Sequence, residues 1–170
     1  MQRYEMHPGM LKIFDEELGI SIEDPFDQGL LVMEKEEKDG YTVKVCCSLE
    51  GKLHGPSLFY DGKGILLSIS WFCRGLREGK VRQYYPSGQL YASLGFVHGL
   101  REGEHKYYDE DGYLRTSMHY RKGQLDGKTL LFWPDGRLKR ELFLVQGKKQ
   151  GKEKFWDEQG VLKKEIQHAP

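Results

Sequence analysis

Five glycines, Gly51, Gly75, Gly99, Gly123 and Gly147, stand 24 residues apart without a slip, and each is followed by a second glycine four positions on and a third thirteen positions on. A tandem period this regular constrains the fold more than any composition does. It demands one small unit, repeated, with each copy stabilised by its neighbours rather than by a shared globular core. Other columns keep the same register. Nine residues after the first glycine comes Tyr60, Tyr84, Tyr108, Phe132 or Trp156, and fifteen after it comes Leu66, Leu90, Leu114, Leu138 or Leu162.

The unit reads as a β-hairpin. Between the second and third glycines runs a strand-like stretch with an aromatic near its end. The third glycine follows turn residues such as Pro86, Asp111, Pro134 and Asp135, which marks a hairpin tip. After the tip, Leu90, Leu94 and Phe96 alternate with Tyr91, Ser93 and Gly95, and the next repeats alternate likewise, a period of two with one face buried. The Gly-x-x-x-Gly segment, as in Gly75 to Gly79, is expected to return the chain to the next hairpin. An isolated hairpin is marginal in water, so each must pair with the next.

Two copies, GLREGKVRQYYPSGQL and GLREGEHKYYDEDGYL, carry every column, and in them the chain resembles the bacterial variant of the MORN (membrane occupation and recognition nexus) repeat, over roughly residues 51–166. The resemblance implies an elongated single-layer antiparallel sheet of tandem β-hairpins, an all-β repeat protein. It also implies binding roles, since some bacterial relatives are labelled candidate antitoxins and eukaryotic ones serve as lipid-proximal or protein scaffolds.

Three segments are expected. Residues 1–26 form an acidic amino-terminal cap, 27–50 a degenerate half-repeat with a turn at Asp39-Gly40, and 51–170 the five full repeats. Charge separates them: residues 1–50 carry five Lys/Arg against twelve Asp/Glu, and 51–170 carry 21 against 14. Opposite signs suit either a segment that folds back along the array or an array that attracts an acidic partner. In the first repeat Leu67, Ile69 and Trp71 occupy the outward positions that are polar or mixed later. They read as a patch to be covered by a cap, from residues 10–14 or from Leu30, Leu31 and Val32, or as a docking patch. Cys46, Cys47 and Cys73 give no disulfide framework, and the first twenty residues contain no apolar leader, so a cytoplasmic protein is expected.

No catalytic grouping stands out. The six histidines lack metal-ligand spacing, the serines lack a nucleophile elbow, and the acids at 109–111 sit at a hairpin tip. Neither enzyme activity nor a cofactor is expected. Aromatics beside lysines at 105–108 and 152–156 imitate a nucleic-acid platform, but the aromatic column is better read as core. Two readings remain. In the first, another protein binds the sheet face through Tyr85, Tyr91, His119, Trp133 and Phe143. In the second, anionic membrane lipid binds Lys148, Lys149, Lys152 and Lys154.

Overall fold

The computed structural model describes residues 31–36, 41–47 and 52–169. Its strands are β1 (Leu31–Glu36), β2 (Thr42–Cys47), β3 (Leu53–Tyr60), β4 (Leu66–Cys73), β5 (Leu76–Arg77), β6 (Gly79–Tyr84), β7 (Leu90–Val97), β8 (Leu100–Arg101), β9 (Gly103–Tyr108), β10 (Leu114–Arg121), β11 (Gln124–Phe132), β12 (Leu138–Val145), β13 (Lys148–Trp156) and β14 (Leu162–His168). All belong to one antiparallel sheet in which neighbours in sequence are neighbours in space, with the short β5 and β8 pairing off the main path onto β4 and β7. The all-β array of tandem hairpins is therefore the architecture of the molecule. Twelve strands at the usual spacing make a sheet about 50 Å across. β1 and β2 extend it ahead of the full repeats, and because Leu31 and Val32 lie in β1 they belong to the sheet rather than to a cover over it. The proposed cap at 1–26 and the Asp39-Gly40 turn lie outside the described residues.

One expectation is refined at the links. Arg74, His98, Lys122 and Gln146 have φ of 49–50°, and the glycine after each has φ of 78–86°. Two successive positive φ values make a two-residue primed turn, whose twist matches that of the strands it joins. The link is thus a second tight hairpin rather than a crossing segment. At each one the glycine N–H bonds a carbonyl of the preceding link, as Gly99 to Arg77 at 2.8 Å and Gly123 to Arg101 at 2.8 Å.

The side chain three residues after the first glycine completes the link. It accepts from the N–H of the strained residue one repeat on: His54 Nδ1 from Arg74, Glu78 from His98, Glu102 from Lys122 and Asp126 from Gln146, at 2.8–3.3 Å. Each link is therefore capped from the one before it.

At the opposite edge every tip closes in the same way. The residue ten after the first glycine donates its N–H to the residue fourteen after and accepts from the third glycine, as Tyr85 does with Gln89 and Gly88. One strand residue is bulged just beyond each tip, because Tyr84 pairs with Leu90 while Gln83 pairs with Ala92, and the other repeats shift likewise. The aromatic and leucine columns are cross-strand partners at that point: Tyr60 with Leu66, Tyr108 with Leu114, Phe132 with Leu138 and Trp156 with Leu162.

Register divides the array into two faces. Face A carries Val81, Ala92, Phe96, His105, Tyr120, Thr129, Leu142, Leu144 and Glu153, all buried. Face B carries the alternate residues, from Lys80 and Ser93 through Glu104, Ser117, His119, Lys128 and Phe143 to Lys152 and Lys154. Apolar residues thus gather on A and ionic ones on B, as period-two alternation requires.

Candidate functional site

Face B carries a shelf of about 520 Å³ across β9 to β12, lined by Glu104, Ser117, His119, Arg121, Asp126, Lys128, Leu130 and Phe143. Its floor is polar and tied down. Ser117, 5% exposed, donates its hydroxyl to Glu104 Oε1 at 2.8 Å, and Lys106 Nζ lies 2.9 Å from Glu104 Oε2. Burial alone would raise the Glu104 carboxyl, but the hydrogen bonds from Lys106 and Ser117 outweigh it and hold the group below its ordinary value.

His119 meets the carbonyl of Asp126 through Nδ1 at 2.8 Å. A carbonyl only accepts, so Nδ1 carries a proton and Nε2 is left free of this contact. Gly127 makes this contact possible: a Cβ there would lie 3.0 Å from His119 Cβ and 3.3 Å from Nδ1, at a φ of +122°. Lys128 is held by Glu141 at 3.0 Å, Arg121 has no ion-pair partner among the described residues, and Phe143 is 46% exposed. The shelf offers an apolar ring, a guanidinium and an imidazole side by side. That suits recognition of another surface.

Of the residues singled out from the sequence, His119 and Phe143 are brought together here. The other three go elsewhere. Tyr85 donates its hydroxyl to the carbonyl of Tyr108 at 3.0 Å, and Trp133 Nε1 donates to the carbonyl of Trp156 at 3.1 Å, each reaching 23 residues ahead into the next repeat. They act as staples between repeats. Tyr91 is the bulged residue of its strand, and its ring meets Tyr85 and Tyr107 edge-on, with centroids 5.2 and 6.0 Å away. The bulge turns it away from the alternation that placed it outward.

A pairing rule links these positions. The tip residue and the bulged residue six later contact one another as Tyr85–Tyr91 rings, as Arg115 Nε 3.9 Å from Asp109, as Lys139 Nζ 4.1 Å from the centre of the Trp133 ring, and as Lys163 Nζ 2.8 Å from Asp157. Aromatic, ionic and cation–π pairs exchange at one structural site.

The four lysines at the carboxyl end do not form one patch. Lys152 and Lys154 lie on face B, where Lys152 pairs with Glu165 at 2.8 Å. Lys149 instead reaches Glu153 at 3.0 Å, on face A, and Lys148 sits beside the last link. Glu153, only 1% exposed, also binds Arg140 and, at 2.6 Å, His168. Burial opposes ionisation of Glu153, but hydrogen bonds from His168, Lys149 and Arg140 overcome it and lower its pKa to about 2. A second buried titratable group, His105, donates from Nε2 to the Gly95 carbonyl, 2.9 Å away, and burial pushes its pKa down. Neither arrangement is visible along the chain, because each depends on residues from neighbouring repeats meeting at one depth.

Among the described residues no group of three or more His, Cys, Asp or Glu is placed to hold a metal ion, and no helix is long and apolar enough to cross a membrane.

Residues 77–98, 101–122 and 149–169 each match a family described as MORN repeat variant. Three repeats of the array are MORN repeat variants. The matched segments fall on the capped links, tips and paired columns described above, so the same contacts that close each hairpin define the MORN unit here. MORN repeats are binding modules for proteins or membranes rather than catalytic ones. No curated protein matches the chain.

Proposed function

We propose that this chain is a non-catalytic MORN module that binds a partner protein across face B, with the shelf at Glu104, His119, Arg121 and Phe143 as the main contact. The observation that carries the reading is the exposed Phe143 ring beside Arg121, which has no ion-pair partner among the described residues, on a shelf where Glu104 is held by Lys106 and Lys128 by Glu141. A rigid apolar anchor ringed by polar groups is the arrangement that concentrates binding energy in protein interfaces. Lys80, Arg121 and Lys154 on the same face lack ion-pair partners among the described residues, which favours a partner with acidic groups. Scaffold, chaperone-like and antitoxin-like roles are forms of this reading that differ in the partner.

Anionic lipid is less favoured as ligand. The lysines that would contact phosphate are divided between two faces, and Lys149 and Lys152 are held by carboxylates.

The test is affinity capture from lysate of the source cells by the intact protein and by the variants Phe143→Ala and Arg121→Glu. A protein retained in stoichiometric amount by the wild type and lost with both variants supports the reading. Retention that is indifferent to both variants removes face B from consideration.

A further inference from the structure

The first full repeat departs from the others on face B. Pro56 is less than 2% exposed, whereas the residues at the same site in later repeats, Lys80, Glu104, Lys128 and Lys152, are all exposed. Trp71 is 6% exposed, while of its counterparts Gly95 is half-buried and His119, Phe143 and Gln167 are exposed, Phe143 at 46%. Leu58 is 5% exposed, where the later residues at its site are only half-buried. Register places all three on face B, with Pro56 opposite Trp71, and Leu58 opposite Ile69, which in turn pairs with Arg82.

Every described strand belongs to the one sheet, so no second layer among them accounts for this difference. The first full repeat thus carries an apolar patch of Pro56, Leu58 and Trp71 at face B sites that later repeats fill largely with polar or charged residues, and no described strand lies over it. The stretches 37–40 and 48–51 hold four residues each, too few to cross several strands. Residues 1–30 are long enough to cross several strands. Their charge also fits, with two Lys/Arg against seven Asp/Glu facing a surface that carries Lys80 and Arg82. Met10, Leu11, Ile13 and Phe14 directly precede the acids at 15–17, so apolar and acidic groups come in the order that the patch and its basic border present.

We infer that residues 1–30 of this chain bind face B of the first full repeat, with residues 10–14 against Pro56, Leu58 and Trp71 and the acids at 15–17 toward Lys80. The cover replaces water on an apolar patch that would otherwise stand open at the end of the array, as terminal repeats require. The shelf at His119 and Phe143 lies several strands further on and stays open.

Two measurements on the full-length protein test this. Carbodiimide cross-linking, which joins carboxylates to lysines without a spacer, is expected to link Asp15, Glu16 or Glu17 to Lys80 within one chain. Links confined to face A or to the far end of the array, or links that form only between isotopically distinct copies, would overturn the inference, the last indicating a second copy as the cover. Hydroxyl-radical labelling is expected to show Trp71 protected several-fold, with protection lost in Leu11→Asp/Phe14→Asp while hydrogen exchange of β9 to β12 is unchanged. A milder variant, Asp15→Lys/Glu16→Lys/Glu17→Lys, is expected to make Trp71 protection sensitive to salt. Trp71 protection that survives both variants refutes the proposal.

Discussion

At the residue scale, Glu153 is the most consequential ionisable group described. Its carboxylate is buried and held by Arg140 from β12, Lys149 from its own strand and His168 from β14, so one side chain ties together the last three strands. Its folded pKa, about 2, lies below the ordinary value of 4.5. Such a group stabilises the fold fully above pH 4.5, and its contribution is lost as pH falls from there toward 2, on the order of 3 kcal/mol in total. His105 acts in the same direction: its depressed pKa means the unfolded chain takes up a proton first, so stability declines as pH falls below the ordinary 6.5. Urea melts at stepped pH are therefore expected to show progressive acid destabilisation. In Glu153→Gln, which takes the shared carboxylate from Arg140, Lys149 and His168, the loss at pH 7 is expected to be about 2–3 kcal/mol with the pH 2–4.5 slope flattened. Gly127 is the other residue whose identity is fixed by contact. In Gly127→Ala the new methyl group meets His119 in a backbone region that alanine disfavours, and a cost above about 1 kcal/mol is expected, with the His119 imidazole shifts displaced in the NMR spectrum.

At the element scale, the link is where the sequence is least ideal. Four non-glycine residues hold positive φ, at a cost of roughly 1 kcal/mol each relative to a residue at ease there. Lys122→Gly is accordingly expected to raise the thermal midpoint modestly, by about 0.5–1 kcal/mol of stability. The Glu102 carboxylate that accepts from the Lys122 N–H offsets part of the strain. Glu102→Ala is expected to cost about 1 kcal/mol, and amide exchange at Lys122 should rise more than that of the strand centres. The tips are built differently: Asp61, Asp109 and Asp157 accept backbone N–H groups within their own turn, while Tyr85 and Trp133 reach ahead to the next repeat. Tips that close on themselves thus alternate along the array with tips that staple two repeats.

At the scale of the whole molecule, the sheet has no enclosed core, and its stability is passed from neighbour to neighbour. Contacts 20 to 23 residues apart tie one repeat to the next: link to link through the capping side chains, tip to tip through Tyr85 and Trp133. A break in the middle of the array is expected to uncouple its two ends. Tyr85→Phe/Trp133→Phe, which removes both staples but keeps the rings, is expected to broaden the urea transition and lower its m-value, the mark of lost cooperativity. If the m-value is unchanged while the midpoint drops, the staples contribute stability but do not couple the repeats.

The period of 24, the hairpin unit, the aromatic and leucine columns and the split of charge between residues 1–50 and the array were all legible in the chain, because each is a matter of spacing along one strand. His119 and Phe143 were legible as outward residues for the same reason. Tyr85, Tyr91 and Trp133 were not, since a bulge of one residue re-aims Tyr91, and the polar ends of the other two find carbonyls in a repeat that spacing alone does not bring near. The cluster at Glu153 and the capped links were invisible for a related reason. What the sequence by itself determined is therefore periodic: how long the unit is, which face is apolar and where the turns fall. The tertiary structure decided whatever depends on two repeats meeting, because register, bulge position and depth between strands are set by pairing across the sheet and not by order along the chain.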